Sequence, residues 1–234
     1  MIGMGQLLIL GVFLILSLIV GETLKSKFRK YSKIPVRDGL TGKDIAEKML
    51  RDHGIVDVSV TSVQGTLTDH YNPANKTVNL SENVYYGQNI SAAAIAAHEC
   101  GHAVQHANAY APLKLRTALV PLQNISAKIL NFIFIAMFFG MSLIGGIFSI
   151  NTALIIFIVC YGIFTLFAFV TLPVEIDASR RALVWLGDRG ITNNSENSEA
   201  KDALKWAAYT YVVAALSSLA MLLYFIMLFM GRRN

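Results

Sequence analysis

Four long apolar runs constrain the fold of this chain more than any other feature of its sequence. Each is long enough to cross a bilayer core of about 30 Å as a helix. The runs are 6–20, 129–150, 152–172 and 210–230. A hydrophobic fraction of 54% and a mean hydropathy of +0.51 are also too high for an ordinary soluble domain. We therefore expect a multi-pass membrane protein with about four transmembrane helices.

The first run, 6–20, is the shortest and has two interpretations. A secretory signal peptide carries a basic region before its apolar run and an Ala-x-Ala cleavage site after it. This sequence has neither feature around the first run. We therefore expect a signal anchor that stays in the membrane.

The distribution of basic residues predicts an orientation. Thirteen Lys and Arg residues lie in 22–128, five lie in 173–209, and none precedes the first run. By the positive-inside rule, both polar regions are expected in the cytoplasm. The two arginines near the C-terminus oppose this orientation, because an even number of spans places them outside.

Five positive charges follow the first run directly. They are Lys25, Lys27, Arg29, Lys30 and Lys33. Such a cluster suits contact with anionic lipid headgroups. Because this placement explains the net charge of +5, we expect a lipid bilayer and no nucleic acid as a partner.

The stretch 91–107 predicts a helix that carries three reactive side chains. It is rich in alanine, Ser91 is a suitable N-cap, and no proline interrupts it. On such a helix His98 and His102 lie four residues apart and project from the same face. Glu99 lies about 100° round the helix from His98, beside the pair.

These three residues form the motif His-Glu-x-x-His, the signature of zinc hydrolases. Neutral imidazoles bind zinc at about 2.0–2.1 Å, and a catalytic site has three protein ligands and one water. Zinc lowers the pKa of that water toward about 7, and a neighbouring carboxylate can take its proton and return it to a leaving amine. The motif therefore predicts His98 and His102 as zinc ligands and Glu99 as the general base.

The remaining histidines and cysteines have weaker claims on the metal. His106 shares the ligand face, but three ligands along one straight helix span about 12 Å and do not reach a single ion. We expect it to pack or to contact substrate. Cys100 points away from the ligand face, which favours packing, and Cys160 is poorly placed for a disulfide with it. His53 and His70 are expected to be ordinary surface or packing residues.

The region before the motif predicts a short helix followed by a small sheet. Thr41 is a suitable N-cap for an amphipathic helix that ends before Gly54. Apolar and polar residues then alternate, and further strands are expected at about 65–71 and 76–80, around the turn sequence at 72–75. We expect an antiparallel sheet that either binds an extended substrate along an edge strand or only covers the motif helix.

The second and third apolar runs predict a transmembrane hairpin. They are separated only by Asn151, so a tight turn is expected there. The hairpin returns the chain to the side of the motif, where the polar segment 173–209 begins. A loop is expected at about 188–198, before the last helix.

With these features the chain resembles the YugP-type family of neutral zinc metallopeptidases of bacterial membranes, over nearly its whole length. The stretches that carry the resemblance are Asn72-Pro followed by Val-Asn-Leu-Ser81, His98-Glu-Cys-Gly-His102-Ala-Val-Gln-His106, Ala111-Pro-Leu-Lys114, Leu172-Pro-Val-Glu175-Ile-Asp-Ala-Ser179 and Ala208-Tyr-Thr-Tyr211. The arrangement is more distantly similar to HtpX-type and CAAX prenyl proteases. Those relatives place an aspartate four residues after their glutamate ligand to orient a histidine, where this chain has Ser179.

The third zinc ligand is expected from the segment that follows the hairpin. Glu175 and Asp177 return to the side of His98, and Glu175 is alternatively a solvated carboxylate at the membrane boundary. The longer side chain of Glu175, its place just after Pro173 at the expected start of a helix, and the resemblance favour Glu175 as the ligand. Asp177 is then expected to orient a histidine. Arg180 and Arg181 follow one turn later. Three roles stay open for them: pairing with Asp177, contact with lipid phosphate, or polarisation of the scissile carbonyl.

The resemblance implies a zinc-dependent, gluzincin-like endopeptidase that acts on membrane or membrane-proximal polypeptides. A catalytically silent, zinc-stabilised membrane scaffold is the alternative. A metal transporter is disfavoured, because the four apolar runs contain essentially no ionisable residues.

The expected fold is an α+β integral membrane protein with four transmembrane helices, a small antiparallel sheet and a zinc-binding motif helix on the cytoplasmic side. Its expected regions are an anchor at 1–21, a metallopeptidase region at 22–128, a transmembrane hairpin at 129–172, a cytoplasmic segment with the third ligand at 173–209, and a last transmembrane helix at 210–234.

Overall fold

The computed structural model describes residues 3–139 and 150–232, which are mostly helical with one small sheet. The elements in chain order are α1 Met4–Tyr31, a 3-10 turn Arg37–Gly39, α2 Gly42–Asp52, β1 Ser59–Val63, β2 His70–Asn72, β3 Thr77–Ser81, α3 Glu82–Tyr85, α4 Ile90–Ala107, α5 Ala111–Phe139, α6 Ile150–Asp188 and α7 Asn194–Gly231.

Within the described residues, four helices, α1, α5, α6 and α7, are long and apolar enough to cross a membrane, as predicted. Their bounds differ from the prediction. Helix α5 begins at Ala111, well before the expected start at 129. The end of the second predicted span falls on 140–149, outside the described residues. Asn151, expected at the turn of the hairpin, lies in the first turn of α6.

The polar segment after the third apolar run is more helical than predicted. Helix α6 continues through Pro173 to Asp188, so the predicted helix start at Pro173 is wrong. A proline removes one backbone hydrogen bond, and a long helix supported by neighbours tolerates that loss. The predicted loop at 188–198 is also shorter, because Asn193 and Glu196 cap α7 through reciprocal bonds of 2.9 Å and 2.7 Å.

The chain divides into two compact units, and the first contains the apolar parts of the four long helices. Its ranges, as far as they are described, are Met1–Leu18, Leu115–Thr171 and Tyr211–Asn234. Leu154, Met221 and Phe225 form a small buried cluster there. Phe157 stacks on Phe225 with ring centroids 4.7 Å apart. Many large apolar side chains of α1 are exposed, which suits contact with lipid.

The second unit comprises Ile19–Lys114 and Leu172–Thr210 and contains the predicted metal motif. Its core includes the contact of α2 with α4. The α2 side chains without exposed surface are Ile45, Ala46 and Met49. Thr41 is the N-cap of helix α2, as predicted, and its hydroxyl accepts a bond from the Asp44 N–H at 3.1 Å.

The sheet is mixed, so the prediction of an antiparallel sheet is wrong for one strand pair. The strand order is β1-β3-β2, with β2 antiparallel to β3 and β1 parallel to β3. Strands β2 and β3 form a hairpin across the predicted turn, so β2 occupies one edge of β3. Strand β1 pairs with the other edge, and because it runs opposite to β2, it is parallel to β3.

The motif helix α4 begins one residue before the predicted stretch. Asn89 is its N-cap in place of Ser91, because the Asn89 side chain accepts a bond from the Ala92 N–H at 3.0 Å. Ser91 lies buried in the first turn. Nearly all alanines of α4 are buried, and their small size lets α2 and β3 approach this helix closely.

Candidate active site

The structure brings three of the predicted site residues together. His98 and His102 project from one face of α4, with ring centroids 4.9 Å apart. Their Nε2 atoms lie 3.3 Å and 3.5 Å from Oε2 of Glu175 on α6. His102 and Glu175 are buried, and His98 is half-buried.

A glycine on α4 permits this arrangement. A Cβ atom built on Gly101 would lie 2.6 Å from the backbone oxygen of Ala178. Only a residue without a side chain therefore lets α4 and α6 approach so closely at this point. Ala178 lies three residues after Glu175 on α6, so this close contact fixes the position of the Glu175 carboxylate relative to the two imidazoles.

The donor atoms fit a tetrahedral zinc site. Bonds of about 2.0–2.1 Å to zinc place two ligand atoms of a tetrahedron about 3.3–3.4 Å apart. The observed separations from Nε2 to Oε2, 3.3 Å and 3.5 Å, match this edge. All three donor atoms lie within 4.8 Å of one another. Two imidazoles and one carboxylate are also a ligand set of catalytic zinc sites, in which the fourth position stays open.

The Glu175 carboxylate and the imidazoles stabilise one another's charged forms. Glu175 lies past the third apolar run, and burial raises its pKa. Hydrogen bonds to His102 and His98 outweigh burial and hold the pKa of Glu175 well below its usual range. Burial lowers the pKa of His102, but the bond to Glu175 outweighs burial and raises it. Both shifts have one cause, because a buried carboxylate between two imidazoles is stabilised by positive charge.

Glu99 is buried beside this group and is held by a strand of the sheet. Its Oε2 accepts a hydrogen bond from the backbone N–H of Tyr71 at 3.0 Å. Sequence reasoning missed this contact, because it joins residues from two elements and does not depend on the type of side chain at position 71. The bond holds the Glu99 carboxylate in a fixed orientation beside the two histidines, as a general base requires.

The outward-facing nitrogens of both histidines have partners. Nδ1 of His98 lies 3.0 Å from the hydroxyl of Ser179. Nδ1 of His102 lies 3.1 Å from Oε1 of Gln105. Sequence reasoning missed Gln105. Its spacing of three residues from His102 on one helix was the available signal.

Asp177, which the sequence predicts to orient a histidine, reaches His102 through Gln105. Its Oδ2 accepts bonds from Gln105 Nε2 at 3.0 Å and from Arg181 Nε at 2.5 Å. Its Oδ1 accepts a bond from Arg180 at 2.8 Å. Of the roles left open for the two arginines, the structure shows pairing with Asp177. Burial raises the pKa of Asp177, and these bonds outweigh burial and lower it.

The other histidines and Cys100 lie outside the three-donor group. His106 is exposed, and its Nδ1 lies 2.8 Å from the hydroxyl of Tyr71. The Cys100 thiol donates to the Ala46 carbonyl at 3.5 Å inside the core, and burial raises its pKa. A thiol in this environment stays protonated and is a poor metal ligand. His53 and His70 each bond to a backbone carbonyl at 2.8 Å.

Comparisons with known proteins agree with this chemistry. A sequence model of the family described as "Putative neutral zinc metallopeptidase" matches residues 6–230. A relative from Bacillus subtilis (strain 168), named "Putative membrane protease YugP", is 41% identical over 210 residues, which are 90% of this chain and 90% of the relative. No solved structure matches the chain.

Proposed function

We propose that this chain, which belongs to the family of neutral zinc metallopeptidases, is a zinc-dependent endopeptidase. Its proposed substrates are membrane or membrane-proximal polypeptides. The observation that carries this proposal is the group of His98, His102 and Glu175 beside the buried carboxylate of Glu99. Four helices able to cross a membrane support an integral membrane location.

We assign the roles from the contacts. His98, His102 and Glu175 would hold the zinc ion, which makes this a gluzincin-like set of two helix-borne histidines and a glutamate. When bound, zinc would lower the pKa of a water and polarise the scissile carbonyl. Glu99 would take the proton from the attacking water and deliver it to the leaving amine. The N–H of Tyr71 would keep the Glu99 carboxylate oriented.

The outer edge of β2 is our candidate for substrate binding. The strand order leaves this edge unpaired within the described sheet. The Tyr71 N–H points off this edge, because it donates to Glu99 and not to β3. An extended peptide that adds to β2 through backbone hydrogen bonds would therefore lie beside the general base. Backbone recognition of this kind is tolerant of substrate sequence.

We place the site in the cytoplasm on the basis of the basic residues that flank the apolar helices. Most of the basic residues that follow the first run lie at the C-terminal end of α1, where they would suit the headgroups of the inner leaflet.

The proposal is tested on detergent-purified protein by metal analysis together with proteolysis of casein. We expect about one zinc per chain, cleavage of casein, loss of both after treatment with a chelator, and recovery of both when zinc is added. Bound zinc without cleavage of casein or of the chain itself would favour the silent scaffold. Cleavage that survives complete removal of metal would contradict the zinc mechanism.

A further inference from the structure

The side chains of Tyr71 and His106 form a pair of rings to which the proposed mechanism gives no role. Tyr71 lies on β2, and His106 lies on α4, one turn after His102. The Tyr71 hydroxyl is 2.8 Å from Nδ1 of His106. The ring centroids are 5.9 Å apart, and the ring planes meet at 53°. Because Tyr71 is half-buried and His106 is exposed, the ring pair borders the protein surface.

The backbone and the side chain of Tyr71 point in different directions. Its N–H leaves the outer edge of β2 and donates to Glu99 at 3.0 Å. Its side chain leaves one face of the sheet and reaches His106 on α4. Val78, the residue opposite Tyr71 on β3, is fully buried in the core that also contains α4 side chains. Opposite residues project to the same face of a sheet, so the Tyr71 side chain lies on the face that packs against α4.

The same rule gives the direction of one side chain in a peptide that adds to the outer edge of β2. The peptide residue opposite Tyr71 would project toward the α4 face, beside the rings of Tyr71 and His106. Because the Tyr71 N–H contacts the proposed general base, Glu99, this peptide residue would flank the bond that is cleaved. The ring pair is therefore placed to contact one particular side chain of a substrate.

We propose that Tyr71 and His106 are specificity-determining residues that favour an aromatic side chain next to the scissile bond. This inference rests on the proposed endopeptidase function and names the class of substrate. The hydroxyl and Nδ1 satisfy each other, so the pair contacts a substrate mainly through its ring surfaces. A third ring packs on such surfaces edge-to-face or offset-stacked, which favours it over alanine by about 2- to 10-fold. Backbone pairing at the β2 edge adds no such preference.

The test compares two soluble peptides, a Ser/Ala chain with a single phenylalanine and the same chain with alanine at that position. Zinc-loaded, detergent-purified parent protein should cleave the first peptide beside its phenylalanine, as mapped by mass spectrometry. Its kcat/KM should exceed that of the second peptide by about 2- to 10-fold. Fluorescence anisotropy of the labelled peptides on Glu99→Gln measures binding without cleavage, and the same preference is expected there.

His106→Ala and Tyr71→Ala should each abolish the preference in cleavage and, combined with Glu99→Gln, in binding. His106 is exposed, so His106→Ala tests the proposal even if Tyr71→Ala does not fold. His70→Ala is the matched control. His70 precedes Tyr71 on β2, and its side chain projects from the opposite face of the sheet. The preference should therefore survive in His70→Ala.

A parent protein that treats the two peptides equally would overturn the proposal, and so would a preference that survives His106→Ala. An equal loss of cleavage for both peptides in His106→Ala would also overturn it, because that result shows a role in the reaction and not in selection. Failure of the protease proposal gives a different result. The parent would then cleave neither peptide, whereas Glu99→Gln would still bind the phenylalanine peptide more tightly.

Discussion

At the scale of single residues, the site depends on the different contacts of the Glu175 and Asp177 carboxylates. Glu175 faces both imidazoles, whereas Asp177 faces Gln105 and two arginines. One carboxylate is therefore placed to bind the metal, and the other is placed to support a ligand.

We predict that Glu175→Gln loses zinc far more completely than Asp177→Asn. The glutamine replaces a charged donor with a neutral one, whereas the change at Asp177 acts only through Gln105 and should cost about 10- to 100-fold in affinity. Competition with a chromophoric chelator measures both affinities. Tight zinc binding by Glu175→Gln together with loss of zinc from Asp177→Asn would exchange the two roles. If both variants kept zinc, the third ligand would lie elsewhere and His106 would become a candidate.

The residues of the site differ in how far sequence predicts them. The spacing of His98 and His102 follows from the helical repeat, so a helix prediction is sufficient to bring them together. Predicting Glu175 as the third ligand also required the expectation that the chain returns to α4 after the transmembrane hairpin. Gln105 and the Tyr71 N–H acquire their roles from contacts across elements, and sequence spacing alone does not specify such contacts.

At the scale of elements, the close approach of α4 and α6 positions the site. Gly101 lies between His98 and His102 on the side that meets Ala178. We predict that Gly101→Ala weakens zinc binding, because the new methyl group must push α6 and Glu175 away. Helix propensity alone would favour alanine by about 1 kcal/mol.

Gly162→Ala is the control for this prediction. It makes the same change in α6, at a glycine whose added Cβ meets no atom within 4 Å. Zinc affinity and thermal unfolding of both variants are the measurements. Gly101→Ala protein that is more stable than the parent and binds zinc equally well would show that the helix contact does not set the site.

Element boundaries were harder to predict than element types. The motif helix, the α2 cap and four apolar helices were each evident from local pattern. The parallel pairing of β1 with β3 was not evident from local pattern, because it depends on which edge of β3 the hairpin leaves free. The uninterrupted course of α6 through Pro173 was missed for a similar reason, since surrounding contacts override the local preference of proline to end a helix.

At the scale of the whole molecule, the charge distribution predicts that the sheet and the α6–α7 connection face the cytoplasm. Single cysteines introduced as Asn75→Cys and Asn193→Cys, in a chain without its two native cysteines, should not react with an impermeant thiol reagent in intact cells. Both should react once the cells are opened. Labelling of either residue from outside intact cells would reverse the orientation.

The central claim, that this zinc site is a peptidase, is tested most directly by Glu99→Gln. The amide is nearly isosteric with the carboxylate and lies outside the three-donor group, so bound zinc should equal that of the parent. Without the general base, cleavage of casein or of the protein's own chain should fall by about 10² or more. Zinc content and cleavage rate measured on the same preparation give the answer. Full zinc with that loss of cleavage is the predicted result, and equal cleavage by variant and parent would contradict the account.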